Sequence, residues 1–159
     1  MDQSMKKRLW ITSIGIPLAV GAVSALLSRG AMELFEIVKK PPLAPPSWLF
    51  PVVWTLLYTL MGISSYLVRV SDAAAGEKRK ALTIYGYQLA VNFLWPTFFF
   101  NLQWYLFSLA WLILLWILVF GMINRFRPIS RWAALLNIPY LIWLTIAAYL
   151  NAGIWWLNR

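Results

Sequence analysis

Two amides and two aromatic side chains share one face of a strongly apolar stretch in the middle of the sequence. Tyr85, Gln88, Asn92 and Trp95 are spaced three and four residues apart, which places them on one side of a helix. Amide groups are costly in lipid, so this face should point into the protein. It is suited to hydrogen-bonding an uncharged or amphipathic ligand and equally to joining neighbouring helices, and the spacing favours neither interpretation.

A second face of the same kind lies near the C-terminal end of the sequence. In the run NIPYLIWLTIAAYLN, the residues Tyr140, Trp143, Ala147 and Asn151 again follow helical spacing. The small side chains of Ala147 and its neighbour Ala148 leave room for a bulky group opposite them. That arrangement is typical of a pocket wall and also of simple close packing, so both interpretations stay open.

The composition excludes most reactive chemistry. The chain has no cysteine and no histidine, which excludes disulfides, zinc sites, thiol nucleophiles and imidazole acid–base catalysis. Its five carboxylates all lie in predicted tails or loops, at Asp2, Glu33, Glu36, Asp72 and Glu77. A paired-carboxylate mechanism is therefore disfavoured. We expect no metal site, no required cofactor and no conventional catalytic residue.

Membrane-spanning helices must carry these faces. Of the 159 residues, 62% are hydrophobic and only 12% are charged, against roughly a quarter charged in soluble domains. Apolar runs long enough to cross a bilayer predict an all-α membrane protein, a five-transmembrane-helix bundle in one domain over residues 1–159. The predicted spans cover about residues 9–27, 48–68, 81–100, 105–123 and 132–157. None contains an ionisable Asp, Glu, Lys or Arg, which disfavours ion pumps and proton-coupled transporters.

The connection between the first two spans has two parts. Residues Arg29 to Lys40 alternate charged and apolar side chains, which predicts a short amphipathic interfacial helix. The following PPLAPP run, from Pro41 to Pro46, cannot be ordinary helix, because proline fixes φ and removes a backbone donor. A stiff extended loop should therefore deliver the tryptophan-rich start of the second span, with Trp48 and Trp54.

The charge distribution predicts an orientation. The net charge of +9 is typical of a membrane protein with basic loops. The expected partner is therefore the lipid bilayer and not nucleic acid. Four of the 14 Lys and Arg residues lie on one side of the predicted topology, at Arg29, Lys39, Lys40 and Arg159, and the other ten lie on the side of the N-terminus. The positive-inside rule then places the N-terminus in the cytoplasm of a bacterial cell and the proline-rich loop outside.

Small residues mark places where helices approach closely. Gly86 and Ala90 lie four residues apart on the third predicted span. This spacing occurs both at seams between two copies of a chain and at close contacts within one bundle, and the second use is favoured as the commoner one. Similar spacings in the first span allow close helix contact there, at Gly15, Ala19, Gly21 and Ala25.

Three runs together carry a family signature. KPPLAPPSWLFPVVWTLLYTLMGISSYLV, YQLAVNFLWPTFFF and PYLIWLTIAAYLN occur in one order across essentially the whole chain. Through these three runs taken together, the chain resembles the TspO/MBR family of tryptophan-rich sensory and translocator proteins. The resemblance implies a five-helix bundle, usually a homodimer, that binds porphyrins and related tetrapyrroles, sterols and synthetic benzodiazepine-type ligands beneath a first loop that acts as a lid.

The resemblance also implies a set of ligand-binding residues. Matched position by position, the family pocket corresponds to Trp54, Asn92, Trp95, Phe98, Trp143 and Ala147, with Pro46 and Trp48 at the loop entrance. Tyr140 joins the predicted site from its place on the second polar face. One departure concerns sterols, because Tyr149 is followed by no Lys or Arg before Arg159, which is too far for the sterol pattern of the vertebrate members.

Three functions follow from the resemblance. The leading hypothesis is a membrane receptor or sensor that binds a porphyrin or haem-type tetrapyrrole by stacking and hydrogen bonding, since His and Cys ligands for iron are lacking. The alternatives are an enzyme that degrades porphyrin with light and oxygen through Trp54 and Trp143, and a passive transporter of tetrapyrroles or lipids.

Overall fold

The computed structural model covers residues 1–159 and contains helices and connecting turns but no strand. Seven α-helices follow one another along the chain: α1 Gln3–Ser28, α2 Met32–Ile37, α3 Leu49–Val70, α4 Ala75–Pro96, α5 Tyr105–Phe126, α6 Arg131–Leu135 and α7 Ile138–Leu157. A 3-10 turn, Arg29–Ala31, joins α1 to α2, and a π-helical turn, Thr97–Asn101, follows α4. The expectation of an all-α protein is confirmed.

Four helical segments are long and apolar enough to cross a membrane. They comprise residues 3–37, 49–70, 105–126 and 131–157. The fifth long helix, α4, begins with the charged residues Glu77 to Lys80 before its apolar part. In a bilayer every backbone polar group must find a partner, and helices meet that demand within the segment. The chain is therefore an integral membrane protein built as a helical bundle.

Several helices extend beyond the predicted spans, and the last span is divided. Helix α1 begins at Gln3, six residues before the predicted start at residue 9. Helix α4 begins at Ala75, ahead of the predicted start at residue 81, because the polar residues of the connecting loop continue the helix beyond its apolar part. The predicted span 132–157 is divided into α6 and α7, with Leu136 and Asn137 between them. Pro139 lies in the first turn of α7, where the missing N–H would have had no helical partner.

Small residues let α1 and α3 pack closely, although only some of those in the predicted pattern contribute. A Cβ atom at Gly62 of α3 would lie 2.6 Å from the Cα atom of Ile14, so α1 rests directly on this glycine. A Cβ atom at Gly21 of α1 would lie 2.3 Å from the ring of Tyr58. Gly15, in contrast, faces open space. Besides this pair, α4 packs on α5 and α5 packs on α7.

The short helix α2 is held against the end of the bundle by one buried ring. Phe35 contacts Phe50 of α3 edge-to-face, with 5.6 Å between ring centroids. It also contacts Phe100 of the π-helical turn at 5.5 Å. Edge-to-face pairs of this kind add to the apolar burial. The remaining side chains of α2 are exposed or half-buried.

The segment Lys39–Pro42 is fastened to the far end of the chain. The side chain of Asn158 accepts a hydrogen bond from the backbone N–H of Lys39 at 3.1 Å and donates one to its carbonyl at 2.8 Å. Tyr149 donates a hydrogen bond to the carbonyl of Pro42 at 2.7 Å. These contacts join the start of the proline-rich loop to α7, and we call this set of three hydrogen bonds the clasp.

The rest of the proline-rich loop has few such contacts. Pro41 is buried against α7, where a Cβ atom at Gly153 would lie 2.4 Å from its ring. Beyond it, Leu43 is 95% exposed and adopts a positive φ of 63°. Pro46 and Trp48 are also exposed. The loop is thus fixed at its start, and Ala44 still packs against the core. We call its end, with the exposed Pro46 and Trp48, the free half of the loop.

Candidate functional site

A cavity of about 560 Å³ lies between α1, α3 and α4. Its volume falls within the roughly 300–1,000 Å³ typical of small-molecule sites. Aromatic and amide side chains of α3, α4 and the π-helical turn form two of its walls, at Phe50, Trp54, Tyr58, Asn92, Trp95 and Phe100. Pro51 and Met32 also line it, which places it at the end of the bundle where the proline-rich loop enters.

Helix α1 forms the third wall with small side chains. Gly21, Ala22, Ser24, Ala25 and Ser28 all line the cavity. The sequence pattern predicts close helix contact at Gly21 and Ala25 and no α1 residue in the ligand site. The small-residue spacing was the available signal, but spacing alone does not distinguish a contact from a gap left for a ligand.

Asn92 is the centre of a buried hydrogen-bond chain that joins three helices. The hydroxyl of Tyr58 on α3 donates to Asn92 Oδ1 at 2.7 Å, and Asn92 Nδ2 donates to the hydroxyl of Tyr140 on α7 at 2.6 Å. Tyr140 in turn donates to Gln88 Oε1 at 2.8 Å. Gln88 Nε2 completes the chain at the sulfur of Met61, 3.8 Å away. We call these residues the Asn92 network.

A second polar cluster links α4, α5 and α7. The indole N–H of Trp95 donates to Asn151 Oδ1 at 3.2 Å, and the same oxygen lies 3.1 Å from Ser108 Oγ. Asn151 Nδ2 donates to the carbonyl of Tyr105 at 2.7 Å. The amides of both predicted polar faces therefore hold helices together. Asn92 and Trp95 have a second role as well, since both also line the cavity.

Three predicted residues of α7 lie behind the cavity wall and not on it. Tyr140 is buried in the Asn92 network, and Ala147 is buried against the bundle. Trp143 packs edge-to-face on Phe50, with 5.7 Å between ring centroids, and its indole N–H is buried without a partner. The rings of Trp143 and Phe50 thus connect the predicted α7 face to a residue that lines the cavity.

The other predicted residues lie farther from the cavity lining. Phe98 belongs to an aromatic cluster between the π-helical turn and α5, with its ring centroid 4.9 Å from that of Phe107 and 5.1 Å from that of Trp111. Pro46 and Trp48 lie on the free half of the loop, and Trp48 is 67% exposed. The cavity therefore brings together Trp54, Asn92 and Trp95 from the predicted set, and the roles of the others stay predictions.

Comparison with known proteins identifies close sequence relationships over nearly the full length. The model of the TspO/MBR family matches residues 13–157. The chain is 40% identical to Protein CrtK of Rhodobacter capsulatus, covering 87% of this chain and 85% of that protein. It is 37% identical to the tryptophan-rich protein TspO of Chlorobaculum tepidum, covering 91% and 92%. It is also 32% identical to the translocator protein of Ovis aries, covering 94% and 92%.

The Asn92 network should contribute to stability in the absence of any ligand. Asn92→Leu would leave the buried hydroxyls of Tyr58 and Tyr140 each without one hydrogen-bond partner, at a cost of roughly 1–3 kcal/mol per group. We expect a clearly lower midpoint of thermal unfolding, followed by intrinsic fluorescence in detergent. The control is Asn124→Leu, because the exposed Asn124 amide bonds only to the Phe120 carbonyl of its own helix. Unfolding of Asn92→Leu at the wild-type temperature would show that Asn92 does not hold the bundle together.

Proposed function

We propose, from the premise that the chain belongs to the TspO/MBR family, that it is a receptor for porphyrin-type tetrapyrroles and similar hydrophobic ligands. Family membership makes it a membrane sensor or translocator of this family. The ligand is the proposed part. The observation that carries it is the aromatic cavity between α1, α3 and α4, which has the size of a small-molecule site.

Trp54 is the side chain best placed to contact a flat ligand. It is half-buried and lines the cavity, and its ring is tilted on that of Tyr58 at 5.6 Å. Its indole N–H takes part in no hydrogen bond of the structure, whereas that of Trp95 is bonded to Asn151. An indole of this kind offers a ring face for stacking and a free donor for a polar substituent.

The cavity lining favours binding over catalysis. It contains no carboxylate and no lysine among its sixteen residues, and the chain has no histidine or cysteine. Of the two tryptophans that a light-dependent porphyrin-degrading enzyme would use, Trp54 lines the cavity and Trp143 does not. The tetrapyrrole would be held by ring stacking and hydrogen bonds, since the lining has neither of the usual strong axial ligands, His and Cys, and offers iron only Met32 and Tyr58.

Replacing Trp54 should weaken porphyrin binding. Trp54→Ala removes one stacking surface and one hydrogen-bond donor. We expect protoporphyrin affinity to fall roughly thirtyfold, since aromatic stacking contributes on the order of 1 kcal/mol and a hydrogen bond a similar amount. The measurement is the shift of the porphyrin absorbance band on titration in detergent, with empty micelles subtracted.

Two further variants locate the site within the bundle. Trp132→Ala is the control, because Trp132 is 70% exposed on α6 and lies outside the cavity. Trp143→Ala tests the predicted α7 face. Loss of affinity in Trp143→Ala together with full affinity in Trp54→Ala would transfer the site to the α7 side. Wild-type affinity in Trp54→Ala and in Trp143→Ala would contradict an aromatic site in this bundle.

The proposal includes five membrane crossings, with α4 as the third, and a cytoplasmic N-terminus in a bacterial cell membrane. The excess of Lys and Arg on the N-terminal side supports this orientation. The free half of the proline-rich loop then lies outside and acts as a lid at the cavity end of the bundle.

Single cysteines should report this topology without background, because the chain has none of its own. We expect Ser47→Cys, in the proline-rich loop, to react in intact cells with a membrane-impermeant maleimide. Ser71→Cys, in the loop after α3, should react only after the membrane is broken. Labelling of both positions from outside would overturn the five-span arrangement.

We also propose that two copies associate through α4. Gly86 and Ala90 are exposed, and the position where a Cβ atom of Gly86 would lie has open space around it. The close packing within one bundle that the sequence favoured therefore does not occur at Gly86, and its open, exposed position supports a seam between copies.

A large side chain at this seam should separate the copies. Gly86→Leu is expected to convert a dimer to a monomer in light scattering of the detergent-solubilised protein, because close helix approach requires small residues. Gly15→Leu is the matched control, since Gly15 also faces open space but on α1. A monomeric wild type, or a dimer that survives Gly86→Leu, would contradict the proposal.

A further inference from the structure

One charged side chain lines the otherwise uncharged cavity. Arg29, in the 3-10 turn after α1, is the single ionisable Lys, Arg, Asp or Glu among its sixteen lining residues. The guanidinium forms no ion pair, since the structure contains one such pair, Lys80–Glu77, in another part of the protein. It also takes part in none of the side-chain hydrogen bonds. A free cation therefore lies at the loop end of an aromatic cavity.

The residue before Arg29 has an unused polar group too. Ser28 lines the same cavity, is 5% exposed, and its hydroxyl oxygen is buried without a hydrogen-bond partner. Buried hydroxyls in proteins are nearly always bonded, so one without a partner beside a ligand cavity requires an explanation. Ser28 Oγ itself has almost no accessible surface, so a ligand acceptor supplies the missing bond only after rotation about χ1 turns the hydroxyl toward the cavity.

The neighbouring charges do not neutralise Arg29. Glu33 follows it by one helical turn but forms no ion pair with it, and Glu36 is exposed on α2. Lys40 donates to the carbonyls of Glu36 and Val38 and lies 4.7 Å from the centre of the Phe35 ring. Among the cationic residues at this end of the bundle, Arg29 is the one that lines the cavity, and its side chain is exposed and able to turn toward a ligand.

We propose that Arg29, together with the Ser28 hydroxyl, recognises a carboxylate on the ligand. This inference rests on the proposed function of the cavity and specifies it further. The aromatic walls hold a flat apolar body, and the guanidinium binds an acidic substituent at the loop end, where its planar fork matches a carboxylate. The cavity therefore selects flat hydrophobic acids, and discriminates against neutral esters and sterols of similar size.

The test compares protoporphyrin IX, which has two carboxylates, with its dimethyl ester, which has the same ring and no charge. Both are titrated into wild-type protein, Arg29→Gln and Arg29→Lys in the same detergent. We expect wild type to prefer the diacid, and Arg29→Gln to lose roughly tenfold in diacid affinity, as removal of a charge-assisted bond predicts. Affinity for the ester should not change, and Arg29→Lys should restore part of the loss.

Two variants serve as comparators. Arg159→Gln removes one positive charge from the same end of the protein without touching the cavity, since Arg159 lies over the ring of Trp156 at 3.4 Å. It should leave the preference for the diacid intact. Ser28→Ala should lower diacid affinity alone, by less than Arg29→Gln does. Retained ester binding shows in each case that the variant is folded.

Several results would overturn the inference. Equal affinity of wild type for diacid and ester would show that no carboxylate is recognised. Equal losses of diacid and ester binding in Arg29→Gln would make Arg29 a structural residue only. A loss in Arg159→Gln as large as that in Arg29→Gln would assign the preference to the overall charge of the surface. Failure of wild type to bind either porphyrin would overturn the proposed function and this inference along with it.

Discussion

The arrangement of the bundle depends on the hydrogen-bond chain through Asn92. Lipid tails are as apolar as leucine, so burying apolar side chains between membrane helices provides little of the driving force it provides in water. A buried amide, in contrast, must find partners. Asn92 on α4 finds them in Tyr58 of α3 and Tyr140 of α7, and Tyr140 passes the chain on to Gln88. The network fixes which faces of three helices oppose one another.

The same interactions determine where space remains. Tyr140, Trp143 and Phe50 occupy the region between α3 and α7 with their own rings. On the other side of α3, helix α1 presents glycine, alanine and serine, and the gap beside them is the cavity. The polar groups that hold the bundle and the surfaces offered to a ligand are thus two sides of the same residues. A substitution at Asn92 or Trp95 affects both stability and cavity shape.

The sequence predicted the helices and the inward faces but not their partners. Long uncharged runs are enough to predict spans, and the spacing of Gln88, Asn92 and Trp95 is enough to place them inside. Helical periodicity specifies a face, however, and not which helix lies opposite, so the roles of Asn92 as link and as cavity wall were not separable. The TspO/MBR resemblance, which the comparisons confirm, supplied the candidate residues.

Other features were beyond local pattern altogether. The α1 wall was missed because small residues have the same spacing at a contact and beside a gap. The division of the last span at Leu136 and Asn137 depends on where α7 begins, at Ile138, with Pro139 in its first turn. Phe98 packs with Trp104, Phe107 and Trp111 because the π-helical turn after Pro96 rotates it away from the face of Asn92, and such a turn has no clear sequence signal.

The clasp has a consequence for the order in which the protein is made. Lys39 and its partner Asn158 are 119 residues apart in the chain, so the proline-rich loop leaves the ribosome long before the side chain that fastens it exists. At synthesis rates of about 5–20 residues per second this interval lasts roughly 6–24 seconds. During that time α3 to α7 are synthesised while the loop has no anchor. Docking of the loop can therefore occur only in the last stage of biogenesis, once α7 is in place.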